Sequence, residues 1–100
     1  MADPYDASEG VFGISVAADM VGTGVQNLRA YEKAGLVNPQ RTRGGTRLYS
    51  LEDIERLRQI AALLDEGLNL AGIAKVLRLE ADNARLRDQI SAERDRRRRR

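Results

Sequence analysis

Residues 15 to 49 constrain the fold more than any other part of this 100-residue chain. Their apolar spacing predicts two short helices, the second over residues 25 to 34, with a glycine-containing turn at residues 22 to 24 between them. A basic, glycine-rich loop from Arg41 to Arg47 follows directly and predicts a β-hairpin. Because a chain of this length holds one small domain with appendages, this arrangement decides most of what the chain can become.

The composition excludes several classes of function. The sequence contains no cysteine and no histidine. Disulfides, thiolate chemistry, zinc sites and imidazole catalysis therefore have no residues to build them, and we expect no metal, no cofactor and no enzymatic activity. No apolar run approaches the length of a membrane span, and the N-terminus has no signal-peptide pattern, so we expect a cytoplasmic protein without membrane contact.

The net charge of +2 conceals a marked local asymmetry. Between Arg29 and Arg47 five cationic residues accompany one acid, Glu32. The end of the chain, residues 94 to 100, holds six arginines and one aspartate. Such clusters, rather than the overall charge, indicate where a polyanion would bind.

The second helix and the loop after it carry the candidate DNA-binding residues. Glutamine and asparagine can pair with adenine edges, and arginine can bind guanine or phosphate, whereas the alternative is a solvated helix face. Arginines around a glycine pair suit a cationic hairpin that binds phosphates or enters a minor groove, whereas the alternative is a soluble turn. Tyrosine hydroxyls could bind phosphates, or the rings could fill the core. The predicted DNA-binding residues are Gln26, Asn27, Arg29, Tyr31, Lys33, Arg41, Arg43, Arg47 and Tyr49.

Local signals predict where the helices begin. Ser15 is a candidate N-cap for the first helix, and Ser50 with Asp53 suits a capping box for a third helix that ends near Glu66. Asn69 can cap a fourth helix. In that helix, residues that are apolar except for Asn83 recur at alternating spacings of three and four, which is the a/d pattern of a coiled-coil seam. The predicted seam residues are Val76, Leu79, Asn83, Leu86 and Ile90.

These patterns divide the chain into four parts. Residues 1 to 10 are acidic and predict a flexible arm, and residues 11 to 78 form the domain of four helices and the hairpin. Residues 79 to 93 form the dimerisation coiled coil, and residues 94 to 100 form a disordered arginine-rich tail. The fold class is therefore mainly α, a winged helix-turn-helix DNA-binding domain with a C-terminal coiled-coil helix.

Several of these motifs resemble those of a known family. Arg29-Ala-Tyr31, Gly35-Leu-Val-x-Pro39, Arg47-Leu-Tyr49 and the run from Glu66 to Ile73 resemble the DNA-binding domain of MerR-type transcriptional regulators. Within that family, Ile14-Ser-Val-Ala-Ala18, Arg41-Thr-x-Gly-Gly45 and Asn69-Leu-Ala-Gly-Ile73 are similar to the HspR-type heat-shock repressors. The resemblance covers about residues 13 to 80.

The resemblance implies a winged-helix dimer joined by its last helix and bound to a two-fold operator in double-stranded DNA. It implies that Arg29 and Tyr31 contact DNA from the recognition helix, and that Arg47 and Tyr49 hold phosphates from the wing. The HspR-type proteins work with the chaperone DnaK, which implies a chaperone co-repressor as a partner. Apart from Ala92, only polar residues follow Ile90 in this sequence, so we expect no metal-binding or small-molecule effector segment.

We interpret the sequence as a DNA-binding transcriptional regulator, specifically a repressor that binds an inverted-repeat operator as a homodimer. One alternative is a DNA-architectural or excisionase-like recombination accessory protein, which shares the winged-helix shape. A second alternative is an interaction adaptor whose coiled coil pairs with another protein. Strong DNA bending without an effect on a promoter would favour the first, and dimerisation without DNA binding would favour the second.

Overall fold

The computed structural model describes residues 6 to 99 and is mainly helical, as the sequence predicts. In this part of the chain, four helices and one two-stranded antiparallel sheet follow one another. None of these helices is both long enough and apolar enough to cross a membrane. In chain order the elements are α1 (Ile14–Val21), α2 (Val25–Lys33), β1 (Gln40–Arg41), β2 (Arg47–Leu48), α3 (Leu51–Asp65) and α4 (Leu70–Arg98).

The capping predictions are correct for the last two helices. The Ser50 hydroxyl accepts a hydrogen bond from the Asp53 N–H at 3.0 Å, and the Asp53 carboxylate accepts one from the Ser50 N–H at 2.9 Å. The Asn69 side chain likewise accepts from the Gly72 N–H at 2.8 Å. Each cap satisfies a backbone donor that the first helical turn leaves without a partner.

The prediction for the first helix is wrong by two residues. The N-cap of α1 is Gly13, whose extended backbone lets its carbonyl accept the Ala17 N–H, and Ser15 lies inside the helix on its exposed side. Gly22 then adopts a left-handed conformation with φ of 79°, and its N–H donates to the carbonyls of Ala18 and Asp19. This glycine ends α1 and turns the chain toward α2.

One hydrophobic core joins the helices to the base of the hairpin. Helix α1 packs on both α2 and α3, and α3 packs on the first part of α4. Since the core ends at Leu77, the remaining turns of α4 extend beyond it. The buried apolar residues are Ala17, Ala18, Leu28, Tyr31, Leu36, Val37, Tyr49, Ile54, Leu57, Ile60, Ile73 and Leu77.

The segment before α1 is bound to the domain from Ala7 onward, where the Ala7 carbonyl accepts from the Glu52 N–H at 3.0 Å, and this differs from the flexible arm that the sequence predicts. The N–H groups of Val11 and Phe12 donate to the Tyr49 carbonyl at 3.0 Å, and the Tyr49 N–H donates to the Phe12 carbonyl at 2.7 Å. The Gly10 N–H donates to Gln40 Oε1 at 2.9 Å. Acidic composition did not reveal these backbone pairings, which use groups that every residue carries. Residues 1 to 5 of the predicted arm lie outside the described residues.

The arginine-rich end of the chain is helical to Arg98, which differs from the disordered tail that the sequence predicts for residues 94 to 100. Arginine is a good helix former, and cations are favourable in the last turn of a helix because of its dipole. Glu93 also pairs with Arg96 at 2.6 Å and with Arg97 at 3.9 Å, one turn along the helix. Arg100 lies outside the described residues.

We expect Ser50→Ala to lower the free energy of unfolding by about 0.5–2 kcal/mol, because the Asp53 N–H loses its acceptor. Urea denaturation followed by circular dichroism measures the change. Ser15→Ala is the matched control, since Ser15 caps no helix in the described structure and should cost less than about 0.5 kcal/mol. Equal losses in the two variants would show that the cap itself contributes nothing.

Candidate nucleic-acid interface

Helix α2 has a buried face and a polar face. Leu28 and Tyr31, three residues apart, turn into the core and fix the orientation of the helix. The opposite surface is exposed and carries donors and acceptors that can reach base edges or phosphates. The exposed predicted site residues on α2 are Gln26, Asn27, Arg29 and Lys33. The Asn27 amide donates to the Thr23 hydroxyl at 2.7 Å, which holds that side chain at the start of the helix.

The predicted hairpin is present and forms a short wing, defined here as residues 40 to 48. Its strands are paired at two positions, Gln40 with Leu48 and Arg41 with Arg47. Only the second of the two tip glycines has a positive φ, with Gly45 at 86°. The Gly45 N–H donates to the Thr42 carbonyl and the Thr42 N–H to the Thr46 carbonyl, both at 2.9 Å, and these bonds close the tip.

Glu32 connects the wing to α2 and is the interface residue that the predicted set does not contain. Its Oε1 accepts from Arg47 Nε at 2.7 Å, and its Oε2 accepts from Arg41 Nη2 at 3.0 Å. The carboxylate side chain is only 17% exposed. Its one sequence signal is that it is the single acid in a strongly basic stretch. We call this three-residue arrangement the Glu32 bridge.

The bridge sets the electrostatics of the wing. The pKa of Arg47 is raised above its ordinary value, first because Glu32 accepts its hydrogen bond. Arg41 also donates from Nη1 to the Gly45 carbonyl at 3.0 Å, so the bridge extends to the tip. None of the ion pairs in the described part of the chain includes Arg43 or Arg29, and both side chains are exposed. Two of the predicted cations, Arg41 and Arg47, are therefore paired with Glu32. Arg29 and Arg43 take part in no ion pair among the described residues.

The two tyrosines of the predicted site lie in the core. Tyr31 is 5% exposed and Tyr49 is fully buried, so both rings fill space in the core, which is the alternative that the sequence left open. No group in residues 6 to 99 hydrogen-bonds to the Tyr49 hydroxyl. Burial raises the pKa of Tyr49, and the negative charge of Glu32 raises it further. A phosphate contact through the Tyr49 hydroxyl, as the resemblance implied, is incompatible with this position.

The predicted seam residues lie apart from this surface, along α4. Val76 is half-buried near the end of the core, whereas Leu79, Asn83, Leu86 and Ile90 are exposed. The described residues contain no cluster of acidic side chains that could hold a metal ion. What the structure brings together is a polar helix face and a cationic wing, which can contact the base edges and the phosphates of one nucleic acid.

Comparison with known proteins places these features in a family. The family model described as MerR HTH family regulatory protein matches residues 12–80. HspR of Streptomyces coelicolor is 49% identical over 87 residues, which cover 84% of this chain and 58% of that protein. The transcriptional regulator GlnR of Bacillus cereus is 43% identical over 67 residues, covering 67% of this chain and 52% of that protein. The chain thus spans little more than half the length of these relatives.

Solved structures show the same architecture. HiNmlR, a MerR family regulator without the sensor domain and bound to promoter DNA, has a TM-score of 0.61 and 29% identity, with 65% of this chain and 52% of that chain covered. The N-terminal part of the Bacillus subtilis multidrug transporter activator has a TM-score of 0.63 and 34% identity, with 67% and 64% covered. These similarities confirm the winged helix-turn-helix fold.

We expect Tyr49→Phe to leave stability at pH 7 equal or higher, because it removes a buried hydroxyl that has no protein partner in the described structure. Because the pKa of Tyr49 is raised in the folded state, its contribution to stability is full below the unfolded pKa of about 10 and is lost as the pH rises. Urea denaturation at pH 7 and pH 10.5 measures this loss. It should be smaller in Tyr49→Phe than in wild type, and a marked destabilisation at pH 7 would contradict a hydroxyl without a hydrogen-bond partner.

Proposed function

The chain belongs to the MerR family of helix-turn-helix regulatory proteins, which are not enzymes, and we propose that it binds DNA sequence-specifically to regulate transcription. The observation that carries the proposal is the exposed polar face of α2 held beside a cationic wing by the Glu32 bridge. Helix α2 enters the major groove, and the wing contacts the flanking backbone. The protein acts in the bacterial cytoplasm, at the nucleoid, where this DNA is found.

The residues have different roles in this proposal. Gln26, Asn27 and Arg29 lie on the exposed part of α2 and read base edges. Arg43 at the wing tip and Lys33 at the end of α2 bind phosphates, because exposed cations that take part in no ion pair among residues 6 to 99 give the largest gain from counterion release. Arg47 contributes as well, since its Nη groups make no bond within residues 6 to 99 while its Nε is held by Glu32.

The regulator is proposed to be a repressor. The support is the HspR-type motif pattern together with 49% identity to HspR over most of this chain. The chaperone co-repressor belongs to the same proposal and rests on the same resemblance. The arrangement of α2 and the wing is compatible with activation as well, so a promoter fused to a reporter gene, measured with and without the protein, decides between the two.

We propose that the protein binds DNA as a homodimer through α4. Leu79, Leu86 and Ile90 are 63%, 55% and 52% exposed although they are large and apolar, and they recur on one face of the helix at seam spacing. Asn83 lies between them at a position where a buried asparagine can determine register. A two-fold dimer places two copies of α2 on the two halves of an inverted repeat.

We expect Arg29→Ala and Arg43→Ala to weaken DNA binding in different ways. A base contact by Arg29 should cost about 1–3 kcal/mol at one base position of the preferred sequence. A phosphate contact by Arg43 should weaken all sequences similarly and reduce the slope of log affinity against log salt by about one. Fluorescence anisotropy with a duplex that the wild-type protein enriches from a random library measures both effects.

Arg87→Ala is the matched control for these two variants, because Arg87 is exposed on α4 and lies outside the proposed interface. It should change neither the base preference nor the salt slope markedly. If the protein enriches no duplex, or if both interface variants bind like wild type with normal circular dichroism, the proposed function is wrong.

We expect Leu86→Asp to convert the dimer to a monomer in sedimentation experiments, because it places two charges inside the seam. Affinity for the inverted repeat should then fall toward that of a single half-site, since the second contact is no longer intramolecular. Ala84→Asp adds the same charge at an exposed position outside the seam and should leave the dimer intact. A Leu86→Asp variant that remains dimeric would place the dimer contact elsewhere.

A further inference from the structure

The wing is too small to hold its own position. It contains two residue pairs, and an isolated two-stranded ribbon of this size is not stable in water. One of the two pairs sets Arg41 directly opposite Arg47, and like charges in this arrangement repel each other. The geometry of the wing relative to α2 therefore has to come from outside the ribbon.

Glu32 supplies that connection from the recognition helix. One carboxylate accepts hydrogen bonds from both opposed arginines, at 2.7 Å from Arg47 and 3.0 Å from Arg41, and so replaces a repulsion by two charge-assisted bonds. Arg41 also donates to the Gly45 carbonyl at 3.0 Å. A continuous series of bonds thus runs from α2 through both strands to the tip of the wing.

From this geometry, and given the proposed DNA-binding function, we propose that Glu32 is the positioning residue of the interface. It holds the wing at a fixed distance and orientation from α2, so that base contacts and phosphate contacts form together on one preferred sequence. The consequence is unusual for an acid on a DNA-binding surface. Although its charge repels phosphates, Glu32 increases affinity for the preferred sequence, because an ordered wing loses less conformational entropy on binding.

The test compares Glu32→Gln with Glu55→Gln in the full chain. Both substitutions remove one negative charge and keep the side-chain size, but Glu55 is exposed on α3 and belongs to no ion pair in the described structure. Hydrogen exchange and ¹⁵N relaxation of the Thr42, Gly45 and Thr46 amides report the order of the wing without DNA. Glu32→Gln should increase exchange and mobility at these amides, and Glu55→Gln should not. Unchanged wing amides in Glu32→Gln would overturn the proposal.

The second measurement uses two duplexes, one enriched by the wild-type protein from a random library and one of random sequence. Glu32→Gln should bind the enriched duplex about tenfold more weakly and the random duplex equally or more tightly. If Glu32 acted only as a repulsive charge, both duplexes would bind more tightly, and that result overturns the proposal. If no duplex is enriched, the proposed function fails, while the wing amides still decide whether Glu32 positions the wing.

A narrower variant covers the case in which Glu32→Gln does not fold. Arg41→Met removes the branch of the bridge that reaches Gly45 and leaves the bond between Glu32 and Arg47 in place. Mobility should then increase at the tip amides of Gly45 and Thr46 but less at Leu48, next to the retained pair. Uniform mobility along the whole wing, or none, contradicts a bridge with two branches.

Discussion

A β-ribbon with two residue pairs depends on other parts of the chain for its position, and this dependence organises the half of the structure that contains α2 and the wing. On one side Tyr49 is fully buried in the core and exchanges backbone hydrogen bonds with Phe12. On the other side the Glu32 carboxylate holds both strands from α2. The core therefore holds the base of the wing, and α2 is linked through Glu32 to both of its strands.

This arrangement explains why the basic residues between α2 and the wing are not equivalent. Coulomb attraction pairs Arg41 and the Nε group of Arg47 with the Glu32 carboxylate of the same chain. Arg29 and Arg43 are exposed and take part in no ion pair within the described residues, so their full charge is available to a polyanion. In the proposed interface a basic cluster of this kind serves two purposes, since some cations stabilise the surface and others are left to bind phosphates.

The first turns of α4 stabilise the single domain, and its later turns carry the proposed dimer seam. Its first turns complete the core through Ile73 and Leu77, and the turns beyond contribute no buried residue to the single chain. The proposed seam lies on those outer turns, where apolar side chains are exposed. The arginines from Arg94 to Arg98 continue the same helix, so their charges are spaced along a helical rod rather than along a random coil.

Features that depend on neighbouring residues could be predicted well from the sequence. The order of the helices, the capping box of Ser50 and Asp53, the cap at Asn69 and the hairpin all follow from spacing and from local hydrogen bonds. The apolar spacing along α4 is of the same kind, because it repeats within one helix, whereas the dimer that this spacing predicts stays a proposal. The exposed polar face of α2 also follows from helical periodicity once the helix is recognised.

Whether a polar side chain is free, paired or buried was decided only by the tertiary structure. Glu32 meets Arg41 and Arg47 across 9 and 15 residues of chain, and such pairings arise only after the wing folds back onto α2. Tyr49 carries a hydroxyl that could bind a phosphate, but the same folding buries it in the core. Spacing along the sequence determines which face of an element a residue occupies, whereas packing between elements determines what that face meets.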